Sequence, residues 1–186
     1  MSHSHGGGPT ADVSVRIAWA DDAASIAAVQ VRAWPELYAG VLPAEVIPSD
    51  VEAVSAQWRQ ALAKPSDARH RVLVALERNR VVGFALTSPA VDPDCDPVAD
   101  GELAEVTLDP AERAKGHGSR LLQAAVDTLA ADRFTRAVTW VNAGDDGLLS
   151  FLTEAGWAPD SAHRELDLDG TGTTTVKQVR LHTAIA

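Results

Sequence analysis

Gly116 and Gly118 flank a single histidine in the run Arg113-Ala114-Lys115-Gly116-His117-Gly118. Residues without side chains let main-chain amides come close to a ligand. The apolar residues that follow, Leu121, Leu122, Ala125, Val126 and Leu129, have helical spacing. A helix opening near Gly118 leaves its first N–H groups unpaired and turns the positive end of its dipole toward the loop. Those features suit a phosphate. Arg113, Lys115 and Arg120 add positive charge in a chain that is otherwise acidic. Two carboxylates, Glu102 and Glu105, precede the loop on an apolar extended segment, and a carboxylate beside a reacting amine can take its proton.

Two nucleotide motifs fail on spacing. A P-loop needs glycine, four residues, then Gly-Lys-Ser/Thr, but here the lysine precedes Gly116 and no glycine stands five positions earlier. A dinucleotide fingerprint needs a third glycine where this chain has Leu121. What remains is R-x-x-G-x-G after a strand that ends in Leu108-Asp109-Pro110.

With these residues the sequence resembles the GCN5-related N-acetyltransferases, the GNAT family, whose acetyl-CoA loop is Q/R-x-x-G-x-G/A between a strand and a helix. The likeness extends to Glu102-Leu103 with Val106 to Pro110, to Trp34, Tyr38 and Leu42-Pro43, to Trp140-Val141 with Phe151 and Gly156-Trp157, and to Arg180. It spans about residues 13 to 185. It implies an α+β GNAT fold: a mixed, twisted sheet of about seven strands flanked by helices, splayed between the fourth and fifth strands. Acetyl-CoA would lie in the splay as co-substrate. The backbone of Val106, Thr107 and Leu108 would pair with the pantetheine arm, and one of those amides would polarise the thioester carbonyl. The main chain around Arg113, Ala114, Lys115, Gly116, His117, Gly118 and Ser119 would hold the pyrophosphate. His117 is expected to be a solvent-facing spacer with a useful amide.

The implied reaction is direct attack by a primary amine in a ternary complex, with a small-molecule or peptide amine as acceptor. Glu102 stands eleven residues before Arg113, the spacing of the general base in the histone-acetylating members. It is the preferred base and Glu105 the alternative, with water as a third route. On a regular strand these two glutamates face opposite sides unless a bulge intervenes. Trp34 and Tyr38, four apart on the first helix, either pack in the core or wall the acceptor site. Two departures stand out. Leu152 occupies the position of the family's tyrosine, which protonates the departing thiolate, and Asp145 that of an asparagine contacting coenzyme A. They leave open an acetyl-CoA-binding protein with weak or no transferase activity.

The elements that must position these residues follow from patterning. Val13 to Ile17 alternates as a strand. Ile26, Val29, Ala33 and Leu37 share a helix face, with Asp21 or Asp22 as cap and a kink or break expected near Trp34 because of Pro35. Ser49 and Glu52 read as a capping box for a second helix, and Asp145 or Asp146 as the cap of a later one. Val72 to Leu76 and Val81 to Thr87 read as paired strands around a turn at Arg78-Asn79-Arg80, and two final strands span 161–168 and 176–184. Asp92, Asp94 and Asp96 do not make a calcium loop, because Pro97 and Leu103 stand where glycine and glutamate are required. No metal is expected.

The chain has 186 residues, one cysteine, 46% hydrophobic residues and a net charge of −10. One domain over 12–186 is expected after a disordered tail at 1–11, in which His3 and His5 are the only metal-ligand types. The acidic balance argues against nucleic acid, and no run is long enough to span a membrane. Cys95 reads as an inert surface thiol, compatible with a cytoplasmic location. The resemblance allows a homodimer, for which the residues themselves give no sign.

Overall fold

A computed structural model describes residues 12–185, so the tail at 1–11 lies outside the described residues. Seven strands form one sheet: β1 (Val13–Ile17), β2 (Arg71–Glu77), β3 (Arg80–Pro89), β4 (Asp100–Leu108), β5 (Arg136–Asn142), β6 (Ala158–Asp167) and β7 (Thr175–Ala184), in the order β1-β2-β3-β4-β5-β7-β6. Every pairing is antiparallel except β4 with β5. The helices are α1 (Ala23–Leu37), α2 (Val51–Ala63), α3 (His117–Ala131) and α4 (Asp146–Glu154). This is the mixed, helix-flanked α+β sheet that the family resemblance implied.

The pleat sorts the core into two layers. Val74, Leu76 and Phe84 face Ile26 and Val29 of α1, with Trp58 and Leu62 of α2 packed against them. Leu73, Ala75, Val82, Ala85 and Leu103 face Leu121, Leu122, Ala125 and Leu129 of α3, and Leu152 of α4 joins that layer. The β2–β3 turn takes positive φ at both Arg78 and Asn79, the twist that a two-residue hairpin requires.

Several local expectations are corrected. Of the kink or break expected near Trp34, the break does not occur: α1 runs through Pro35 to Leu37, with the proline in its last turn. Leu37 is exposed, so the buried stripe ends at Ala33. Asp22 does not cap α1 with its side chain; its carboxylate accepts from the Trp19 amide and pairs with Arg16. The α2 cap is Asp50, whose carboxylate accepts from the amides of Glu52 and Ala53, rather than Ser49. β6 begins at Ala158, three residues before the expected start.

Two irregularities in β4 matter for the site. Its parallel pairing with β5 covers only Asp100–Arg136, Gly101–Ala137 and Glu102–Val138. Beyond that the strands separate, and the Thr139 hydroxyl bonds the Leu103 carbonyl at 2.7 Å at the fork. On the other side, Thr87 pairs with Leu103 and Leu86 with Glu105, leaving Ala104 as an extra residue in a bulge. Among the described residues, no helix is long and apolar enough to cross a membrane.

Candidate active site

The loop between β4 and α3 is held by its flanks. Asp109 ends β4, caps the 3₁₀ turn Pro110–Glu112 through the Ala111 amide, and takes a 2.6 Å salt bridge from Arg32 of α1. Glu112 is bonded by Arg80 and Lys115, which together hold its carboxyl down at about 2. Just past these anchors Ala114 and Gly116 adopt left-handed φ of +61° and +84°. Residues 113–116 are exposed. The first helical bond of α3 runs from the Arg120 N–H to the Gly116 carbonyl at 3.2 Å. The amides of His117, Gly118 and Ser119 are therefore left without helical acceptors at the positive end of the dipole. The nearby cations are less available than the sequence suggested, since Arg113 pairs with Glu36 and Lys115 with Glu112.

His117 overturns one expectation. It is 1% exposed, with neither ring nitrogen hydrogen-bonded, and its Nε2 lies 4.0 Å from Glu77. As the first residue of α3 it points into the fold, so only its amide could serve a ligand.

The Ala104 bulge changes the reading of the two glutamates. Gly101 and Leu103 abut α3-side residues before the bulge, and Val106 and Leu108 do so after it. The intervening residue flips the alternation, which puts Glu102, Glu105 and Thr107 on the opposite face together. Thr107 donates to Glu105 at 2.9 Å. Burial raises the Glu105 carboxyl above its usual value, and that bond partly offsets it. Burial also raises Glu102, with Asp92 adding to the rise and Arg164 and Arg180 opposing it. Tyr38 is likewise pushed up, by burial first and by the charge of Glu105 second. It stands edge-on to Trp34, ring centroids 6.1 Å apart. Trp34, Tyr38 and Glu105 are thus neighbours, while Glu102, on the same face of β4, lies beside Asp92.

Around Glu102 is a charged cluster that local spacing could not reveal. Arg180, nearly fully buried, bonds Asp160 and Asp94 at 2.6 Å each and Asp92 at 3.1 Å. The Trp140 indole donates to Asp92 at 2.9 Å, and the Arg164 guanidinium lies 4.2 Å above that ring. Asp92 and Asp94 are therefore committed to arginine. Cys95 also touches Arg180, and burial raises its thiol. Leu152 is 2% exposed in the α3-side core, and Asp145 caps α4 through the Leu148 amide, so neither supplies an acid to this face.

The model of the acetyltransferase (GNAT) family matches residues 31–157, which include the first-helix aromatics, β4, the glycine loop, α3, β5 and α4. The chain belongs to the GNAT family. Solved structures extend the likeness to the whole sheet. PaiA N-acetyltransferase from Thermoplasma acidophilum, in complex with coenzyme A, superposes with a TM-score of 0.69 at 17% identity, covering 92% of this chain and 98% of that one. YncA from Salmonella typhimurium, solved with its cofactor acetyl-CoA, gives 0.67 at 16%, covering 94% and 95%. The ribosomal-protein-S18-alanine N-acetyltransferase from Escherichia coli gives 0.64 at 14%, covering 94% of each. No curated protein matches the sequence. Acetyl-CoA is the co-substrate of GNAT enzymes, and in this member β4 has no β5 partner beyond Glu102, next to the open N-terminus of α3.

Proposed function

We propose that this GNAT member is an acetyl-CoA-dependent N-acetyltransferase acting on a primary amine. The observation that carries the reading is the continuity of two features. β4 loses its β5 partner after Glu102, and the same strand leads into a loop whose helix amides lack acceptors. An extended pantetheine arm can add to Val106, Thr107 and Leu108 as a strand would, while the pyrophosphate rests on the amides of residues 114–119.

The amine nitrogen then attacks the thioester carbon from the α1 face. The amide of Val106 stabilises the developing oxyanion, the C–S bond breaks, and coenzyme A leaves as the thiolate. Glu102 accepts the ammonium proton; burial has already raised its affinity for protons, as a base working near neutral pH requires. With Leu152 buried, no side chain there protonates the thiolate, and a thiol leaves without help more readily than an alkoxide. Glu105 sits beside Tyr38 and shapes the other wall.

A second reading is favoured by Leu152 and Asp145: a protein that binds acetyl-CoA without transferring it. A thiol-release assay over a panel of amines separates the two. Release that depends on both acetyl-CoA and an amine, with N-acetylated product seen by mass spectrometry, is expected. Tight acetyl-CoA binding without release on any amine would leave the second reading standing.

A further inference from the structure

Near Glu102 a cavity of about 450 Å³ opens, lined among others by Asp92, Trp140, His163, Arg164 and Arg180. Glu102 is not in its wall but feels the charges of Asp92, Arg164 and Arg180. Three arginines reach this region, and two are consumed. Arg180 is saturated by Asp92, Asp94 and Asp160. Arg136 lies between Asp100 at 3.4 Å and Asp160 at 3.0 Å.

Arg164 differs. Its Nε donates to Gln178 at 2.7 Å, and its nearest carboxylate oxygen, on Asp92, is 3.9 Å from Nη1, beyond hydrogen-bond reach. That carboxylate already accepts from Arg180 and from the Trp140 indole. The guanidinium carbon lies 4.2 Å over Trp140, whose indole is bonded to Asp92, and Gln178 holds the Nε edge. Arg164 lines the cavity, its two terminal nitrogens make no hydrogen bond among the described residues, and a planar carboxylate fits a guanidinium fork with two parallel bonds.

We propose that the acceptor is an amine that also carries a carboxylate, of the amino-acid class, and that Arg164 receives that carboxylate. The inference rests on the acetyltransferase reading above and deepens it. With the carboxylate on Arg164 over Trp140, the amine lies toward Glu102, which pairs with Val138 two residues before that tryptophan. Phosphonate is the less suitable partner, because a second negative charge would face Asp92 and Asp94. Arg164 is a specificity residue here; it holds the substrate and takes no part in proton transfer.

The test compares matched acceptors: several amino acids, the amines left when their carboxylate is removed, and the corresponding aminophosphonates. Each is assayed with wild type, Arg164→Ala and Arg164→Lys, with melting curves to confirm folding. The amino acids should exceed their decarboxylated partners by about tenfold or more in kcat/KM, the scale of one charge-assisted bond pair. Arg164→Ala should raise KM for the amino acids about tenfold with kcat little changed, change kcat/KM for the simple amines far less than for the amino acids, and be partly restored by Arg164→Lys. Simple amines or aminophosphonates turned over as well as amino acids, or an Arg164→Ala variant with unchanged KM, would overturn the inference while leaving acetyl transfer intact. Where no acceptor is turned over, amino acids are titrated into the coenzyme A complex by calorimetry. Binding that Arg164→Ala abolishes sustains the carboxylate site even as the transferase reading fails; no binding overturns it.

Discussion

The two loop glycines should respond in opposite ways to a single methyl group. Gly116 has a φ of +84°, a conformation in which a Cβ crowds the following carbonyl. An alanine there costs about 1–2 kcal/mol. Its Cβ would also stand 3.2 Å from Nη1 of Arg120, the far end of a flexible side chain that can move away. In a domain of this size each kcal/mol shifts the melting temperature by roughly 2–4 °C, so Gly116→Ala should melt about 2–8 °C lower. Gly118 is helical, and its Cβ would meet Leu108 at 3.5 Å and Phe151 at 3.6 Å, ordinary contacts. Gly118→Ala should therefore gain about 0.5–1 kcal/mol from reduced backbone freedom. Affinity for acetyl-CoA should split the same way. Where the Gly116→Ala loop relaxes in the free protein, binding must restore the strained turn, and Kd rises about tenfold for each 1.4 kcal/mol restored. Gly118→Ala should stay within about twofold of wild type. Differential scanning fluorimetry and titration calorimetry on both variants read these quantities. A Gly116→Ala protein as stable and as tightly binding as wild type, or a Gly118→Ala protein that binds worse, would refute the role given to the left-handed turn.

Other expectations follow from the same geometry. Glu102→Gln should lower kcat by roughly 10²–10⁴ with acetyl-CoA affinity retained, and the acidic limb of the kcat/KM profile should disappear; an unchanged profile would pass the base role to Glu105 or water. Because burial raises Glu105, the folded state binds its proton more readily than the unfolded chain, and stability falls as pH rises through the folded value. Glu105→Gln should accordingly melt higher than wild type at pH 8, with the gap closing near pH 4. His117→Leu removes two buried ring nitrogens that have no partner and should stabilise by about 1 kcal/mol, read as a higher melting temperature. Arg180→Ala removes the buried cation shared by Asp92, Asp94 and Asp160 but leaves Arg136 on Asp160, and should cost about 3 kcal/mol by urea unfolding.

Much of this was readable from one sequence because it is local. The R-x-x-G-x-G run, the apolar stripe of α3 and the strand ending at Asp109 lie within a single stretch of chain, and their spacing carries the physics of a helix N-terminus. The caps show where local reading stops. Ser49 and Asp50 are both good caps by type, and it is Asp50 whose carboxylate accepts from the Glu52 and Ala53 amides. The Ala104 bulge was invisible because a hydrogen-bond register is a property of two strands, and it decided that Glu102 and Glu105 share a face. His117 looked polar and therefore exposed, yet it is the first residue of α3 and its side chain is buried. The cluster of Asp92, Trp140, Arg164 and Arg180 joins residues up to 88 positions apart, a pairing that no spacing argument reaches.

The most direct measurement is a crystal structure of the acetyl-CoA complex. The pyrophosphate oxygens should lie within hydrogen-bond reach of the amides between Ala114 and Ser119. The pantetheine should run along Val106 to Leu108 in the fork between β4 and β5, with the thioester on the Glu102 side of the strand. A pyrophosphate held by side chains elsewhere, with the fork closed or empty, would contradict the account.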